Sequence, residues 1–239
     1  MYLATEQADA EKSVVAFLPC RRGSVRVPDK NTRPFAKGRS LLEIKLDQLT
    51  QARTIDRIVV SSNDPVVLDV ARSFGESCSK PLELDHRPDH LGASETTTDQ
   101  LIAYVPTIIS RGHILWTHVT SPFVDGKTYD QIVDEYWKCL QDGYDSLMTG
   151  TRIQTFLYSD QGPVNFDRQV LRWPRTQTLP VWWEINSAAF LVERGLCLAL
   201  GDRVGNHPKI LELDADVAFD IDTMSQFALG ARLWEQWSG

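Results

Sequence analysis

Four cations crowd a short loop that follows an apolar run near the start of the chain. The run, 14–18, breaks at Pro19, and the only acid in the loop is Asp29. The loop cations are Arg21, Arg22, Arg26 and Lys30. Arginine offers a planar fork and lysine a compact charge, and Gly23 lets backbone N–H groups approach a bound anion. The loop therefore predicts a phosphate-binding site, with a merely solvated basic loop as the alternative.

This cationic loop runs against the charge of the whole chain. The 239 residues carry a formal net charge of −7, which argues against nucleic acid as the main partner. The loop fits neither GxGxxG nor GxxxxGK[ST], so it is neither a dinucleotide fingerprint nor a Walker A loop. A small polyanion is the ligand class that the sequence favours.

A pair of aspartates near the end of the chain is a candidate magnesium site. Asp220 and Asp222 follow an apolar pair, and in extended geometry their side chains point the same way. Magnesium at phosphates takes one or two carboxylates and water. Asp222 also precedes a predicted helix, so an N-cap role is the alternative. Asp214 and Asp216 have the same spacing and form a rival pair.

The histidines and cysteines suggest no metal centre. Pro88 separates His86 from His90 and disfavours a helix there, so these two are expected to be solvated. His118, at a predicted strand end, either lines the ligand edge or is half buried. The cysteines show no CxxC spacing, which predicts neither a zinc site nor a disulfide framework. They are Cys20, Cys78, Cys139 and Cys197.

Apolar runs alternate with helical patterns along the chain. Strands are predicted over 14–18, 56–61, 114–119, 146–151, 188–192 and 209–213, with a weak one near 77–84. Helices are predicted over 41–52, 65–74, 95–109, 127–140 and 224–237, the third bent at Pro106. This order predicts an α/β fold with three layers and a mostly parallel sheet. Ligands bind such sheets beyond the carboxyl ends of the strands, where loops 21–31, 61–64 and 120–122 belong.

The chain reads as one large domain, 14–239, preceded by an N-terminal arm at 1–13. Segment 152–184 interrupts the pattern with prolines and the pair Trp182-Trp183, and it predicts a projecting insert that serves as a lid or an oligomer arm. No apolar run reaches the roughly 20 residues of a membrane span, and no signal peptide is evident. A cytoplasmic protein without membrane contact is therefore expected.

The basic loop carries a family resemblance. Residues 20–31 resemble the ARGGSKGIPxKN signature of the CMP-sugar acid synthetases, the acylneuraminate cytidylyltransferase family. Segment 56–64 resembles the family's DRVVVSTD, 87–91 its RPxxL, and 120–122 the end of its QPTSP. The last blocks correspond to RTQTLP at 175–180, Asn186, and DIDT at 220–223. The resemblance covers roughly 14–234.

The resemblance implies a Rossmann-like nucleotidyltransferase core, CTP and an acidic sugar as substrates, pyrophosphate release, Mg²⁺ dependence, and a homodimer formed through the insert. It makes Lys30 and Arg21 catalytic, with Lys30 stabilising charge at the reacting phosphorus. Nucleotide-binding positions are Ser24, Asn31, Arg87 and Thr98. Acceptor-binding positions are His118, Arg175, Gln177 and Asn186. Asp220 and Asp222 fall on the magnesium positions.

The acceptor half departs from the family pattern more than the nucleotide half. His118 replaces a glutamine, no lysine lies near 155–158, and Glu184 stands where a cation often lies. The acceptor is therefore expected to be a nonulosonic or another keto-acid sugar, or a smaller acid such as a phosphonate. A non-catalytic CTP-binding regulator is a further alternative. The candidates for a replacement cation are Arg152, Arg168, Arg172 and Arg175.

Overall fold

The computed structural model describes residues 12–237. The strands are β1 (Val14–Pro19), β2 (Pro34–Ala36), β3 (Arg39–Ser40), β4 (Arg57–Ser62), β5 (Leu82–His86), β6 (His113–Trp116), β7 (Ser146–Ile153), β8 (Tyr158–Ser159), β9 (Gly162–Pro163), β10 (Trp182–Glu193) and β11 (Pro208–Glu212). The α-helices are α1 (Leu41–Gln51), α2 (Pro65–Gly75), α3 (Thr98–Ile108), α4 (Gly126–Gln141), α5 (Arg194–Leu200) and α6 (Met224–Trp237).

A seven-stranded sheet in the order β11-β7-β10-β6-β1-β4-β5 forms the centre of the molecule. Strand β1 pairs in parallel with β4 and β6, β4 with β5, and β7 with β11. Only β10 within this sheet runs antiparallel to its neighbours, β6 and β7. The prediction of a mostly parallel sheet is confirmed.

Alternate residues of β1 face two separate apolar layers, as the two-residue period of a strand requires. Val14, Ala16 and Leu18 join a core with residues of α1, α2, α4 and α6. Val15 and Phe17 join a second core with residues of α3 and α5. Burial on both faces explains why β1 reads as an unbroken apolar run. The result is the three-layer architecture expected from the sequence.

Local signals fix where the first helices begin. Ser40 and Glu43 form a capping box at α1: Glu43 N–H donates to Ser40 Oγ, and Ser40 N–H donates to the Glu43 carboxylate. Asp64 caps α2, with Pro65 in its first turn. These side-chain caps explain why α1 begins at Leu41 and α2 at Pro65.

Three predicted elements differ from the observed ones. Helix α3 begins at Thr98, because Thr97 and Gln100 form a capping box there, and Pro106 lies inside its last turns without ending it. The weak strand lies at 82–86, where it pairs with β4, and not at 77–84. Strand β10 starts at Trp182 and so takes Trp182 and Trp183 out of the predicted insert, because these residues pair with the end of β7.

The predicted N-terminal arm lies mostly outside the described residues; Ser13, within them, accepts a hydrogen bond from His113 N–H at 2.8 Å. Between β7 and β10, the chain forms the β8–β9 hairpin and a short 3₁₀ turn at Thr176–Thr178. The arm and the role of the insert remain predictions. Over 12–237, no helix is long and apolar enough to cross a lipid bilayer.

Candidate functional site

A cleft of about 480 Å³ opens where β1, β5 and β6 end. The basic loop forms one wall, and the others come from the start of α3 and from residues that follow β5 and β6. The cations that line it are Arg21, Arg26, Lys30, Arg87 and Arg203, and no aspartate or glutamate of the described chain lines it. In a chain of net charge −7, this local excess of positive charge favours a polyanionic ligand.

Hydrogen bonds within the basic loop fix its shape. The Asn31 side-chain amide donates to the Arg21 carbonyl at 3.1 Å, and Asn63 Oδ1 accepts from Arg22 N–H at 3.0 Å. Gly23 has a φ of 77°, in the left-handed region that favours glycine. Ser24 and Arg21 line the cleft beside this turn. The loop is therefore preorganised, and Asn31 contributes to its shape as well as to the cleft wall.

Lys30 lies at the base of the loop, with 14% of its side chain exposed. Its ammonium donates to the Ile221 carbonyl at 2.8 Å and lies 3.6 Å from an Asp222 carboxylate oxygen. Burial lowers the pKa of Lys30, and the negative charges of Asp222 and Asp220 oppose that shift. The contacts hold this cation at one fixed point of the cleft wall.

Asp222 is held by cations rather than by a helix end. Arg26 makes a bidentate pair with its carboxylate, at 3.2 and 3.0 Å. The N-cap of α6 is formed by Thr223, whose hydroxyl accepts from Gln226 N–H at 3.3 Å. The N-cap alternative for Asp222 is therefore wrong. Neither the candidate magnesium pair nor the rival pair, Asp214 and Asp216, lines the cleft. The rival pair is exposed and, within the described residues, makes no ion pair with Arg26 or Lys30, whereas Asp222 pairs with both.

Asp220 has the features of a metal ligand. Its Oδ1 is buried and accepts no hydrogen bond from any described residue. The pKa of Asp220 is raised, mainly by burial, and a hydrogen bond from Thr120 and the charge of Lys30 only partly oppose that shift. Residues 12–237 contain no cluster of three or more His, Cys, Asp or Glu that could hold a metal. Two carboxylates suit Mg²⁺ bound together with phosphates and water, so Asp220 and Asp222 fit that ion.

Arg87 and Thr98 form the opposite wall. Arg87 is buried and donates to Ser61, from Nε to Oγ at 3.0 Å and from Nη2 to the carbonyl at 2.5 Å. The Ser61 hydroxyl in turn donates to Asp85 at 2.6 Å. Thr98 is the first residue of α3 and lines the cleft. The structure thus gathers all six residues predicted for catalysis and nucleotide binding around one cleft.

His118 lines the cleft, but both of its ring nitrogens already have partners. Nε2 accepts from Trp116 Nε1–H at 3.1 Å, and Nδ1–H donates to the Ser187 carbonyl at 3.1 Å. Burial lowers its pKa to about 4, the Ser187 contact opposes that shift, and the nearby charges of Arg203 and Lys30 add to it. The imidazole is therefore a neutral, fixed part of the wall.

The other three predicted acceptor residues do not line the cleft, although Asn186 directly precedes Ser187, which does. Arg175 and Gln177 are exposed in the segment between β9 and β10, and neither lines the cleft. Asn186 lies in an irregular part of β10, where its side chain bonds the hydroxyls of Thr149 and Thr151 at 2.6 and 3.2 Å. In this chain, these three residues do not form part of the cleft wall.

Arg203 is a cation of the cleft that the sequence did not reveal. It lies beyond α5, outside every motif, and reaches the cleft because the chain passes over β6 and β10 there. No spacing or composition signal marks it.

The model of a protein family described as "Cytidylyltransferase" matches residues 15–177. The chain belongs to the cytidylyltransferase family. The matched region contains the basic loop, Arg87, Thr98 and His118, and it ends before Arg203 and the two aspartates.

Curated relatives agree with the resemblance drawn from the motifs. A CMP-N,N'-diacetyllegionaminic acid synthase of Legionella pneumophila is 30% identical over 121 residues, 51% of this chain and 52% of that protein. A pseudaminic acid cytidylyltransferase of Campylobacter jejuni is 21% identical over 92% of this chain and 96% of its own length. The chain thus matches only about half the length of the first of these relatives.

Solved structures share the fold. The structure of CMP:2-keto-3-deoxy-manno-octonic acid synthetase complexed with CTP has a TM-score of 0.67 at 14% identity, covering 95% of this chain and 100% of that one. A 4-diphosphocytidyl-2C-methyl-D-erythritol synthase from Anaerococcus prevotii has the same TM-score and identity, with 95% and 99% covered. The nucleotidyltransferase fold predicted from the sequence is confirmed.

Proposed function

We propose that this chain transfers CMP from CTP to an acidic small-molecule acceptor, a nonulosonic acid or another keto-acid sugar, and releases pyrophosphate. The single observation that carries the proposal is the cleft lined by five cations and, over the described residues, by no carboxylate. A triphosphate and a carboxylic acid together supply the negative charge that such a wall attracts. Membership of the cytidylyltransferase family directs the choice to CTP.

In the proposed reaction, an acceptor oxygen attacks the α-phosphorus of CTP. A new oxygen–phosphorus bond forms, the bond from the α-phosphorus to the bridging oxygen breaks, and pyrophosphate leaves with the electron pair. The acceptor proton passes to solvent. Such a reaction asks the protein mainly for positioning and for stabilisation of negative charge.

The residues of the basic loop fit these two tasks. Arg21 and Ser24 lie where a guanidinium and a hydroxyl can hold phosphate oxygens. Lys30, fixed by Ile221 and Asp222, presents its charge at the base of the same wall. We assign Lys30 to the developing charge at the α-phosphorus and Arg21 to the phosphates that depart.

The proposed cofactor is Mg²⁺, which would be held by Asp220 and Asp222. When bound, this ion neutralises phosphate charge. The unpartnered, buried Oδ1 of Asp220 supports the assignment, because a buried carboxylate oxygen without a donor is costly unless a cation completes it.

The relatives support an acid as the acceptor. The relatives are named for diacetyllegionaminic acid, pseudaminic acid and 3-deoxy-manno-octulosonate. These three acids, together with a small phosphonate, make a suitable acceptor panel. We expect pyrophosphate release with CTP, Mg²⁺ and at least one sugar acid, and much less with UTP, GTP or ATP.

Variants test the site assignment in the same assay. We expect Lys30→Ala and Asp222→Ala each to lower the turnover rate by roughly 100-fold or more, as loss of a transition-state charge contact does. Circular dichroism and a thermal melt check that both variants fold. Substantial activity in both variants would refute the site assignment. CTP binding without turnover of any acceptor would instead favour a regulatory protein.

A further inference from the structure

Arg203 and Arg21 are the two cleft cations whose guanidinium groups make no hydrogen bond or ion pair within the described residues. Arg26, Lys30 and Arg87 each bond a side chain or a carbonyl. For Arg203, no ion pair or side-chain hydrogen bond is found within the described residues, although its residue lines the cleft. A half-buried guanidinium without an acceptor retains N–H donors for a ligand.

Two aromatic rings hold this guanidinium in place. Its central carbon lies 3.8 Å from the centroid of the Phe190 ring and 5.0 Å from that of Trp116. Both rings are nearly fully buried, and Trp116 also packs edge-on against Phe17 at 4.8 Å. A guanidinium stacked on a rigid aromatic surface keeps a defined orientation, with the N–H groups at its edge available to a ligand.

The backbone around Arg203 is also fixed. Gly201, at a φ of 64°, ends α5, and Asp202 accepts from Val204 N–H at 3.1 Å. Gly205 N–H donates to the Ser146 hydroxyl at 2.8 Å. The cation is thus presented from a short segment that is tied down on both sides.

Its position separates Arg203 from the proposed nucleotide side. In the sheet order, β5 and β4 lie on one side of β1, and β6 and β10 lie on the other. Arg87 follows β5, whereas Arg203 stands on rings of β6 and β10. Lys30 and Arg203 both lie close enough to His118 for their charges to lower its pKa. An acceptor on the β6–β10 side would therefore lie across β1 from the proposed nucleotide side.

We infer that Arg203 binds the carboxylate group of the acceptor. A carboxylate matches the planar fork of a guanidinium with two parallel hydrogen bonds. The neutral His118 beside it adds no competing charge. This inference rests on the proposed function for the identity of the acceptor. It assigns to Arg203 the acceptor-binding positive charge for which the sequence had suggested arginines of the insert.

The test is equilibrium binding of 3-deoxy-manno-octulosonate and of its uncharged methyl ester, by calorimetry, with and without Mg²⁺ and α,β-methylene CTP. We expect the wild type to prefer the acid to the ester. Arg203→Gln should weaken acid binding by about 10- to 100-fold, as loss of a charge-assisted hydrogen bond does, and abolish the preference. Its affinity for the CTP analogue should stay within about twofold of the wild-type value.

Two further variants exclude trivial causes. Arg203→Lys keeps the charge and loses the fork, so its acid affinity should fall between those of the wild type and Arg203→Gln. The matched control is Arg111→Gln, an exposed arginine next to the start of β6, at the other end of the sheet, which should leave both affinities unchanged. Thermal melts show whether each variant is folded.

The outcomes separate this inference from the proposed function. A wild type that does not bind the CTP analogue contradicts the proposed function, whereas Arg203-dependent binding of the acid alone still supports the inference. Equal acid affinity in the wild type and Arg203→Gln overturns the inference, as does a wild type that binds no acid. A larger loss of nucleotide affinity than of acid affinity also overturns it, because Arg203 would then bind a phosphate.

Discussion

Asp222 is the residue at which two roles compete. In this structure its carboxylate pairs with Arg26 and Lys30, and the same oxygens are proposed to bind Mg²⁺. Arg26 is 65% exposed, so its pair with Asp222 contributes only up to about 1 kcal/mol. Mg²⁺ must therefore displace Arg26, which is a weak partner of Asp222. Lys30 is more deeply buried, and we expect it to stay in place.

We expect Arg26→Ala to lower the Mg²⁺ concentration for half-maximal activity by about two- to fivefold, because it frees Asp222. The first measurement is a titration of the rate of pyrophosphate release with Mg²⁺ at saturating CTP. The second is a binding titration with Mn²⁺, monitored by electron paramagnetic resonance. Arg22→Ala is the control, since Arg22 is exposed and does not line the cleft. A higher Mg²⁺ concentration for half-maximal activity in Arg26→Ala would contradict the idea that Arg26 and Mg²⁺ compete for Asp222.

His118 makes stability depend on pH. Burial lowers its pKa to about 4, so between its ordinary value near 6.5 and pH 4 the unfolded chain binds more protons than the folded one. The contribution of this histidine to the free energy of unfolding is up to about 3 kcal/mol. It is fully present above about pH 6.5 and is lost as the pH falls toward 4. Urea unfolding across this pH range measures the loss.

The variant His118→Gln should show a smaller loss of unfolding free energy over the same pH range, because the group that titrates is gone. The exposed His207, changed to Gln, is the matched control and should follow the wild type. Parallel curves for the wild type and His118→Gln would show that this histidine is not held neutral.

At the scale of elements, a buried lysine ties α1 to the loop after β6. Lys45 is fully buried and donates to the carbonyls of Ser121 and Val124 and to the Tyr129 hydroxyl, at 2.8, 3.2 and 2.8 Å. Burial lowers its pKa well below the ordinary value. The loop it supports includes Thr120, whose carbonyl accepts from Ile221 N–H at 2.9 Å. Lys45 thus connects the core to the segment that carries the two aspartates.

Lys45→Met should lower the free energy of unfolding by about 1–3 kcal/mol, because it keeps a similar side-chain volume but removes the three hydrogen bonds that the ammonium donates to buried oxygen atoms. Chemical denaturation measures the change. Lys127→Met is the control at an exposed position and should stay within about 0.5 kcal/mol of the wild type. An unchanged free energy of unfolding in Lys45→Met would mean that water or another group donates hydrogen bonds to these oxygen atoms.

At the scale of the whole molecule, the segment between β9 and β10 exposes large apolar side chains. Val170 is 83% exposed and Leu171 57%. Neighbouring Trp173 packs on Phe156 and Phe166, at 5.3 and 6.0 Å. Exposed apolar patches of this kind mark interaction surfaces. The role of the insert in forming a homodimer stays a prediction, and this patch is the surface on which to test it.

We expect the wild type to sediment as a dimer at micromolar concentration and the double variant Val170→Asp/Leu171→Asp to sediment as a monomer, because buried charges oppose association. Val66→Asp, on the exposed face of α2, is the control and should remain dimeric. A wild type that is monomeric at tens of micromolar would contradict the prediction.

Local signals in the sequence were sufficient to predict the sheet, the basic loop and the family. These signals are unbroken apolar runs such as β1, caps such as Ser40 and Asp64, and a motif contiguous over 20–31. Residues predicted for catalysis and nucleotide binding reached one cleft because the loops that follow parallel strands meet at one edge of the sheet.

The residues on the proposed acceptor side depend on contacts between distant parts of the chain. Motif order suggested Arg175, Gln177 and Asn186, yet Asn186 is engaged within the sheet and the other two lie on the insert. Arg203, from a segment without a motif, enters the cleft because β10 runs antiparallel beside β6 and places Phe190 next to Trp116. That contact joins residues far apart in the chain, so no local pattern encodes it.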